Sequence, residues 1–399
     1  MTLRILHLTT SYPSSPSDIS GPFVHRLVLA EIKLDLVCTV LTPSGIQCAT
    51  WPNNYNVIRF RYAPWYWQRL AQQPGGIPTA LAEQPLLYGL LPPFLSSMAL
   101  SLIKLAKRND IIHAHWSACG AVAILTQPIH RKPVVTTLRG SDIHKAKKLG
   151  PFSWLHNKSL KGSSFTIGVS QAITNELKRQ NPDMTEKIKF VSDGADDVFY
   201  AVPRNRQSVS VSPFKLLFIG SLIPRKGLDV LLKALAISKT DFPWMLTVVG
   251  SGPEKGYLSS LAAILGIDAN VHFLGNVSPA QIAELMGDHH LFILPSYLEG
   301  RPSVVHEAMA AAMPVLATDI DGTRELVTNS EAGWLVPPGA ENALSIALDD
   351  IIKGKRDLKA AGLAGRKWML EHELTWNNTA KQYNQLYEEA IQSFKRTKP

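Results

Sequence analysis

Short apolar runs and amphipathic stretches alternate along the whole chain. Strands are predicted at 3–9, 36–42, 110–115, 133–137 and 165–169, and again at 214–219, 244–250, 271–274, 290–294 and 314–317. Apolar positions at helical spacing fall between them, at 22–34, 171–180, 227–239, 254–265, 302–312 and 340–353. Alternation of this kind predicts parallel sheets covered by helices on both faces. Two such sets predict an α/β protein of two doubly wound domains, and 399 residues fit about two domains of ~100–200 residues each. The polar, proline-containing stretch Val202–Ser210 reads as the linker, which divides the chain into 1–200 and 201–375.

One segment departs from the alternation. Residues 86–103 carry no charge and approach the length of a membrane span. Pro92-Pro93 interrupts that pattern and serines dilute it, so a buried connecting helix from Phe94 to Lys107 is predicted, with membrane contact as the lesser reading. An aromatic-rich loop from Trp51 to Trp67 precedes it and ends in Trp65-Tyr66-Trp67. Adjacent rings cannot all face one core, which leaves some for an acceptor sugar or a lipid.

Hydrophobic content of 45% and charged content of 18% suit a soluble globular protein. Cys38, Cys48 and Cys119 lack metal-ligand spacing, and their odd number speaks against a disulfide framework; a reducing cytosol is the simple expectation. The chain starts directly with a strand-like Leu3–Leu8, without a long apolar signal core. Charge changes the picture more. Residues 1–200 hold 21 Lys+Arg against 12 Asp+Glu, while residues 201–399 hold 20 against 20. Arg131, Lys132, Arg139, Lys145, Lys147, Lys148, Lys158 and Lys161 cluster against the single Asp142. This stretch is either a solvated helix face or a surface for anionic lipid or an anionic acceptor. Nucleic acid is not expected as a partner, since none of the usual binding motifs occurs.

Candidate chemistry concentrates at 291–310. The apolar run Leu291–Ser296 reads as a buried strand ending at a loop, and Pro302 stands where a helix would start, at its first position. Glu299 then lies in the loop and Glu307 just over one turn into the helix. The free N–H groups near Ser303 and Val304 attract an anion. Two carboxylates flanking an anion-binding helix end suit a ligand with hydroxyls and phosphate, as a nucleotide sugar has. Arg225 and Lys226 follow the first strand of the second half, where open α/β sheets bind ligands, and would stabilise developing phosphate charge. Gly21 follows a polar turn and precedes a helix, so its backbone is a candidate phosphate contact. His115 ends the strand 110–115, on the side where a crevice is expected; His113 is expected to pack or hydrogen-bond internally.

These residues carry a resemblance. Glu299–Glu307 with Glu-Ala-Met-Ala (307–310) and Pro-Val-Leu-Ala-Thr-Asp (314–319) resembles the retaining family-4 glycosyltransferases of the GT-B fold. Phe218–Gly227 is similar to that family's basic phosphate loop, with Gly220 inside it. Val249–Pro253 and Val271–Gly275 match its intervening strand ends, and Val191–Asp196 its Asn-Gly-x-Asp segment with Asp193 in the Asn position. The resemblance implies two Rossmann-like domains facing across a cleft, with residues 376–399 crossing back as a helix onto the first. It also implies that Glu307 holds the ribose, that Glu299 contacts donor-sugar hydroxyls beside Gly300, and that His115 faces the donor. Thr137–Asp142 matches a segment that often has His where Arg139 stands; Arg139 is therefore a candidate for gripping phosphate or an acidic acceptor.

Other motifs are set aside. Gly250–Gly256 approximates a dinucleotide fingerprint, but its third glycine is one residue late. Asp319-Ile320-Asp321 looks like a metal-binding Asp-x-Asp, yet it follows a second-half strand. No Cys/His spacing suggests zinc and no Gly-x-Ser-x-Gly elbow suggests a hydrolase. The expectation is a retaining, metal-independent hexosyltransferase-type enzyme without a cofactor. It would move a sugar from a nucleotide diphosphate sugar to a saccharide or lipid-linked saccharide acceptor in bacterial surface polysaccharide or lipid-linked glycan assembly. A cytoplasmic location, with peripheral contact at the inner face of an anionic membrane, accompanies it. Rival readings are an epimerase or hydrolase of nucleotide sugars on the same fold, or a non-catalytic binding subunit.

Overall fold

The computed structural model describes residues 2–14, 21–45, 55–71, 76–140, 142, 150–203 and 212–396. The chain forms two compact units, Met1–Asp193 with Trp376–Pro399, and Gly194–Thr375. In the first unit seven strands lie in the order β3-β2-β1-β4-β5-β6-β7. They are β1 (Arg4–Leu8), β2 (Val37–Pro43), β3 (Asn56–Phe60), β4 (Ile111–His115), β5 (Val134–Leu138), β6 (Phe165–Gly168) and β7 (Ile188–Phe190). In the second unit six strands lie in the order β10-β9-β8-β11-β12-β13. They are β8 (Phe214–Ile219), β9 (Trp244–Val249), β10 (Val271–Gly275), β11 (Leu291–Leu294), β12 (Val315–Thr318) and β13 (Gly333–Val336). Every pairing is parallel. Strand order therefore reverses direction between β1 and β4 and between β8 and β11, the places where doubly wound sheets open for ligands.

The central strands are buried and mostly apolar because helices cover both faces. Every residue of β4, β5, β11 and β12 is buried. The edge strands β3 and β10 alternate instead, with only one face covered. Three strands were not anticipated. β3 sits at an edge with weak alternation, β7 has three residues, and β13 begins on Gly333, whose added Cβ would lie 1.8 Å from the Val315 carbonyl oxygen.

The two crossings between units are Asp193–Gly194 and Thr375–Trp376. The first comes earlier than the junction at 200/201 read from the sequence. Phe199 and Val202 pack in the second unit's core, and Arg366 donates to the carbonyls of Tyr200 and Val202. That stretch is therefore anchored before the polar segment begins; residues 204–210 of the expected linker lie outside the described residues. The last helix, Trp376–Arg396, belongs to the first unit. Its stripe Trp376, Ala380, Tyr383, Tyr387 and Ala390 packs with Ile5, Val24, Leu27 and Val28.

The uncharged segment forms a 3₁₀ turn, Pro85–Leu90, and a helix, Leu91–Ala106. The helix begins before Phe94 because Pro92 and Pro93 occupy its first turn, where a missing N–H costs nothing. Phe94, Met98, Leu102 and Ala106 bury one stripe, while Leu100 and Leu86 are exposed, so the expected buried helix is amphipathic and buried along that stripe alone. Among the described residues Pro85–Ala106 is the one helix long and apolar enough to cross a membrane. Trp65, Tyr66 and Trp67 form an exposed 3₁₀ turn, 67%, 49% and 53% accessible.

Candidate active site

In the second unit Lys226 and Glu299 meet past the ends of β8 and β11, with Arg225 beside them. After β8, the Gly220 N–H bonds the Val249 carbonyl at 3.0 Å and the chain turns through Pro224–Lys226. Gly227 ends that turn at φ 65°, and a Cβ on it would come within 2.2 Å of the Pro295 carbonyl oxygen. Glycine thus lets this loop close on the end of β11. The Tyr297 N–H donates to the Arg225 carbonyl at 2.9 Å. The result is an ion pair of Lys226 Nζ and Glu299 Oε1 at 2.5 Å, with the Ser296 hydroxyl donating to the same oxygen at 2.8 Å. Both side chains are nearly buried, 14% and 9% accessible. Burial by itself would raise the Glu299 carboxyl; Lys226, and then Arg225, outweigh it and hold the group below the usual carboxylate range.

Glu307 is buried within the helix Ser303–Ala310. Pro302 is the residue capping that helix, one position earlier than the sequence suggested, and no side chain caps it. The first N–H groups, those of Ser303 and Val304, are the donors such a helix end leaves over. The loop bearing Gly300 is held by residues that sequence reasoning missed. Arg301 pairs with Glu325 and donates to His306 Nε2 at 3.0 Å. A Cβ on Gly322 would lie 2.7 Å from the Glu299 carbonyl oxygen and 2.9 Å from that of Gly300. Asp319 and Asp321 sit nearby on the surface, and both pair with Arg324, at 2.6 and 3.4 Å.

The first unit carries a second polar cluster, at its own reversal of strand order. His7 on β1 and His115 on β4 face each other, Nδ1 to Nε2, at 3.2 Å. His7 Nε2 lies 2.7 Å from Glu31 Oε2, and Tyr387 of the last helix donates to Glu31 Oε1 at 2.7 Å. His113 bonds Tyr387 and Thr137, an internal role. His7, His113 and His115 bring three ring nitrogens within 4.8 Å of one another, a grouping that linear spacing hid. The available signal was a polar residue inside an apolar run: His7 within Leu3–Leu8, Glu31 within Val28–Ile32. Gly21 caps the helix Pro22–Ile32 at φ 61°, where a Cβ would lie 2.4 Å from the Ser11 carbonyl oxygen.

Arg139 makes a two-point ion pair with Asp193, at 2.6 and 3.2 Å, and lies 3.4 Å over the Phe23 ring. Its charge is thus already countered within the unit. The two positions that depart from the family pattern, Arg139 and Asp193, are each other's partner. Of the basic cluster, Arg131, Lys158 and Lys161 are exposed; Lys145, Lys147 and Lys148 lie outside the described residues.

Two doubly wound parallel units, the second with its basic loop and carboxylate at the switch point, define the GT-B class of fold. Relatives agree. The profile "Glycosyl transferases group 1" matches residues 203–368 and "Glycosyltransferase Family 4" residues 52–198. A putative teichuronic acid biosynthesis glycosyltransferase, TuaC, of Bacillus subtilis (strain 168) is 27% identical over 366 residues, 87% of this chain and 88% of that protein. An N-acetyl-alpha-D-glucosaminyl L-malate synthase of Bacillus anthracis is 25% identical, over 77% of this chain and 82% of that one. Among solved structures, a sucrose-phosphate synthase from Thermosynechococcus elongatus superposes with TM-score 0.78 at 19% identity, covering 98% of this chain and 100% of the other. Anabaena Alr3699/HepE in complex with UDP and glucose does so at 0.74 and 19%, covering 97% and 100%. The chain belongs to the family-4 glycosyltransferases of the GT-B fold.

Proposed function

We propose that this glycosyltransferase takes its sugar from a nucleotide diphosphate sugar and retains the anomeric configuration. The observation that carries this is the buried Lys226–Glu299 pair beside Arg225 and the uncapped start of Ser303–Ala310. Two adjacent cations and free helix N–H groups suit a diphosphate whose charge grows as the sugar–oxygen bond breaks. A carboxylate held ionised beside them suits hydroxyls of the departing sugar. Glu307 binds the ribose. Gly220 and Gly300 let backbone approach the ligand. His115 and Gly21 are assigned to substrate contact, while Arg139 is held by Asp193 and the Phe23 ring. The family resemblance assigns no protein nucleophile. The donor phosphate takes the acceptor's proton on the same face, and the protein supplies position and field. The binding of UDP and glucose by HepE supports a nucleotide-sugar donor.

The cations at the phosphate site make the reaction independent of a divalent metal. The acceptor is a saccharide, free or lipid-linked, in surface polysaccharide assembly, a reading supported by the TuaC relative and the basic first half. Nucleotide release from UDP-, GDP- and ADP-sugars, with and without candidate acceptors, tests the proposal. Release that needs an acceptor supports transfer; equal release without one points to an epimerase or hydrolase; none with any donor refutes it.

A further inference from the structure

A charge is costly to bury, yet the Arg301 side chain is only 2% accessible and that of its partner Glu325 16%. Three elements meet on it. Arg301 itself belongs to the loop of Glu299 and Gly300. Its Nη1 donates to Glu325, on the helix Asp321–Ser330, and its Nε donates to His306 Nε2 at 3.0 Å, on the helix Ser303–Ala310. The same two helices border the candidate site. Gly322, three residues before Glu325, is where the Glu299 and Gly300 carbonyl oxygens come too close for a Cβ, at 2.7 and 2.9 Å. His306 directly precedes Glu307.

The Arg301–His306 contact has one direction. A guanidinium only donates. Burial, and then the charge of Arg301, hold the His306 ring well below its ordinary range, so it is neutral and carries one proton. His306 Nε2 is therefore the lone pair. The proton lies on Nδ1, which is buried and has no partner among the described residues. An apolar residue would fill this position without leaving a buried donor unpaired. What the histidine adds is an acceptor for Arg301.

Exchanging a buried ion pair for apolar groups of similar volume often costs little stability, so stability alone does not account for this one. We infer that Arg301, Glu325 and His306 are positioning residues: the buried pair clamps the loop of Glu299 to the helix of Glu307 and so fixes how far apart the two carboxylates stand. The clamp is a property of the free protein. Its effect on turnover rests on the sugar-transfer reading above.

Arg301→Met with Glu325→Leu removes both charges together and strands neither, so the fold should persist with a Tm near wild type. Turnover of the competent UDP-, GDP- or ADP-sugar should fall about a hundredfold, the loss that a displacement of ~1 Å produces. Titration calorimetry should find the affinity for the matching nucleoside diphosphate little changed. The same two substitutions in a Glu299→Gln chain should cost little more, because the carboxylate they position is already gone. Arg301→Lys keeps the charge beside Glu325 but loses the planar fork, and should show the same loss and the same coupling even if the pair variant does not fold. Losses that multiply, or wild-type turnover in the folded variants, overturn the action on Glu299. Two-bond ¹H–¹⁵N spectra of the ligand-free protein labelled in histidine, assigned with His306→Leu, read the clamp itself. His306 should be protonated on Nδ1 alone, and its signal should change when Arg301 is replaced. A proton on Nε2, or an unchanged signal, overturns the clamp whatever the enzyme transfers. No turnover of any donor by wild type refutes the sugar-transfer reading and the effect on turnover with it, while the spectra still decide the clamp.

Discussion

Lys226→Ala separates the structural and chemical roles of the cation at the candidate site. The pair is nearly buried, 14% and 9% accessible, so removal of Lys226 strands the Glu299 carboxylate away from water. Breaking a buried pair costs about 3–5 kcal/mol. With about 2–4 °C per kcal/mol for a body of ~150–250 residues, Tm should fall by about 6–20 °C. Glu299→Gln removes the charge but keeps an acceptor for Ser296, so adding it to Lys226→Ala should recover most of that loss. Turnover behaves differently. Loss of a preorganised positive donor costs about 2.7–4 kcal/mol of barrier, a hundred- to a thousandfold, and the second substitution cannot restore it. The pair also has a pH signature. The folded Glu299 pKa is depressed, so its contribution is present above the ordinary carboxylate pKa of about 4.3 and is lost as pH falls through the lower folded value. Wild type should therefore lose stability below about pH 4 more steeply than the double variant. Calorimetry across pH and steady-state nucleotide release measure both quantities. A Tm within about 2 °C of wild type for Lys226→Ala, a shift below 1 kcal/mol, would refute the reasoning, since the pair would then behave as an exposed one.

Other outcomes follow from the same geometry. Glu307→Ala should weaken nucleoside diphosphate binding about ten- to a hundredfold by titration calorimetry, whereas Glu299→Ala should cut turnover and leave that binding nearly intact; the opposite pattern reverses the two assignments. Activity should survive EDTA, while Arg225→Ala should lose about a hundred- to a thousandfold; loss in EDTA with rescue by Mn²⁺ would return Asp319 and Asp321 to consideration as ligands. Liposome co-sedimentation should require anionic lipid, fade at high salt and drop when Lys145, Lys147 and Lys148 become Glu, each basic contact contributing about 1 kcal/mol within a Debye length of roughly 8 Å; equal recovery with neutral vesicles would leave an anionic acceptor as the role of that charge.

Sequence by itself determined the class of fold and pointed to the candidate residues of the second unit. Strands covered on both faces are mostly apolar, so β4, β5, β8, β11 and β12 announce themselves despite His113 and His115 in β4, Thr136 and Thr137 in β5, Lys215 in β8 and Thr318 in β12. Arg225, Lys226, Glu299 and Glu307 were equally legible. Arg225, Lys226 and Glu299 stand in the loops past two strands and Glu307 just over one turn into the following helix, where a parallel sheet delivers its loops to one edge. Short or edge strands such as β3, β7 and β13 were not, because their residues answer to neighbours rather than to a period. Only the tertiary structure decided three further matters. It joined His7, Glu31, His113, His115 and Tyr387, residues from the two ends and the first third of the chain, into one hydrogen-bonded chain. It paired Arg139 with Asp193, turning two separate departures from a family pattern into one compensated ion pair. It placed residues 194–203 in the second unit, because Phe199 and Val202 found their apolar partners there. All three depend on which distant groups come within a few ångströms, and a buried charge or proton donor is satisfied by its neighbours in space, wherever they lie along the chain.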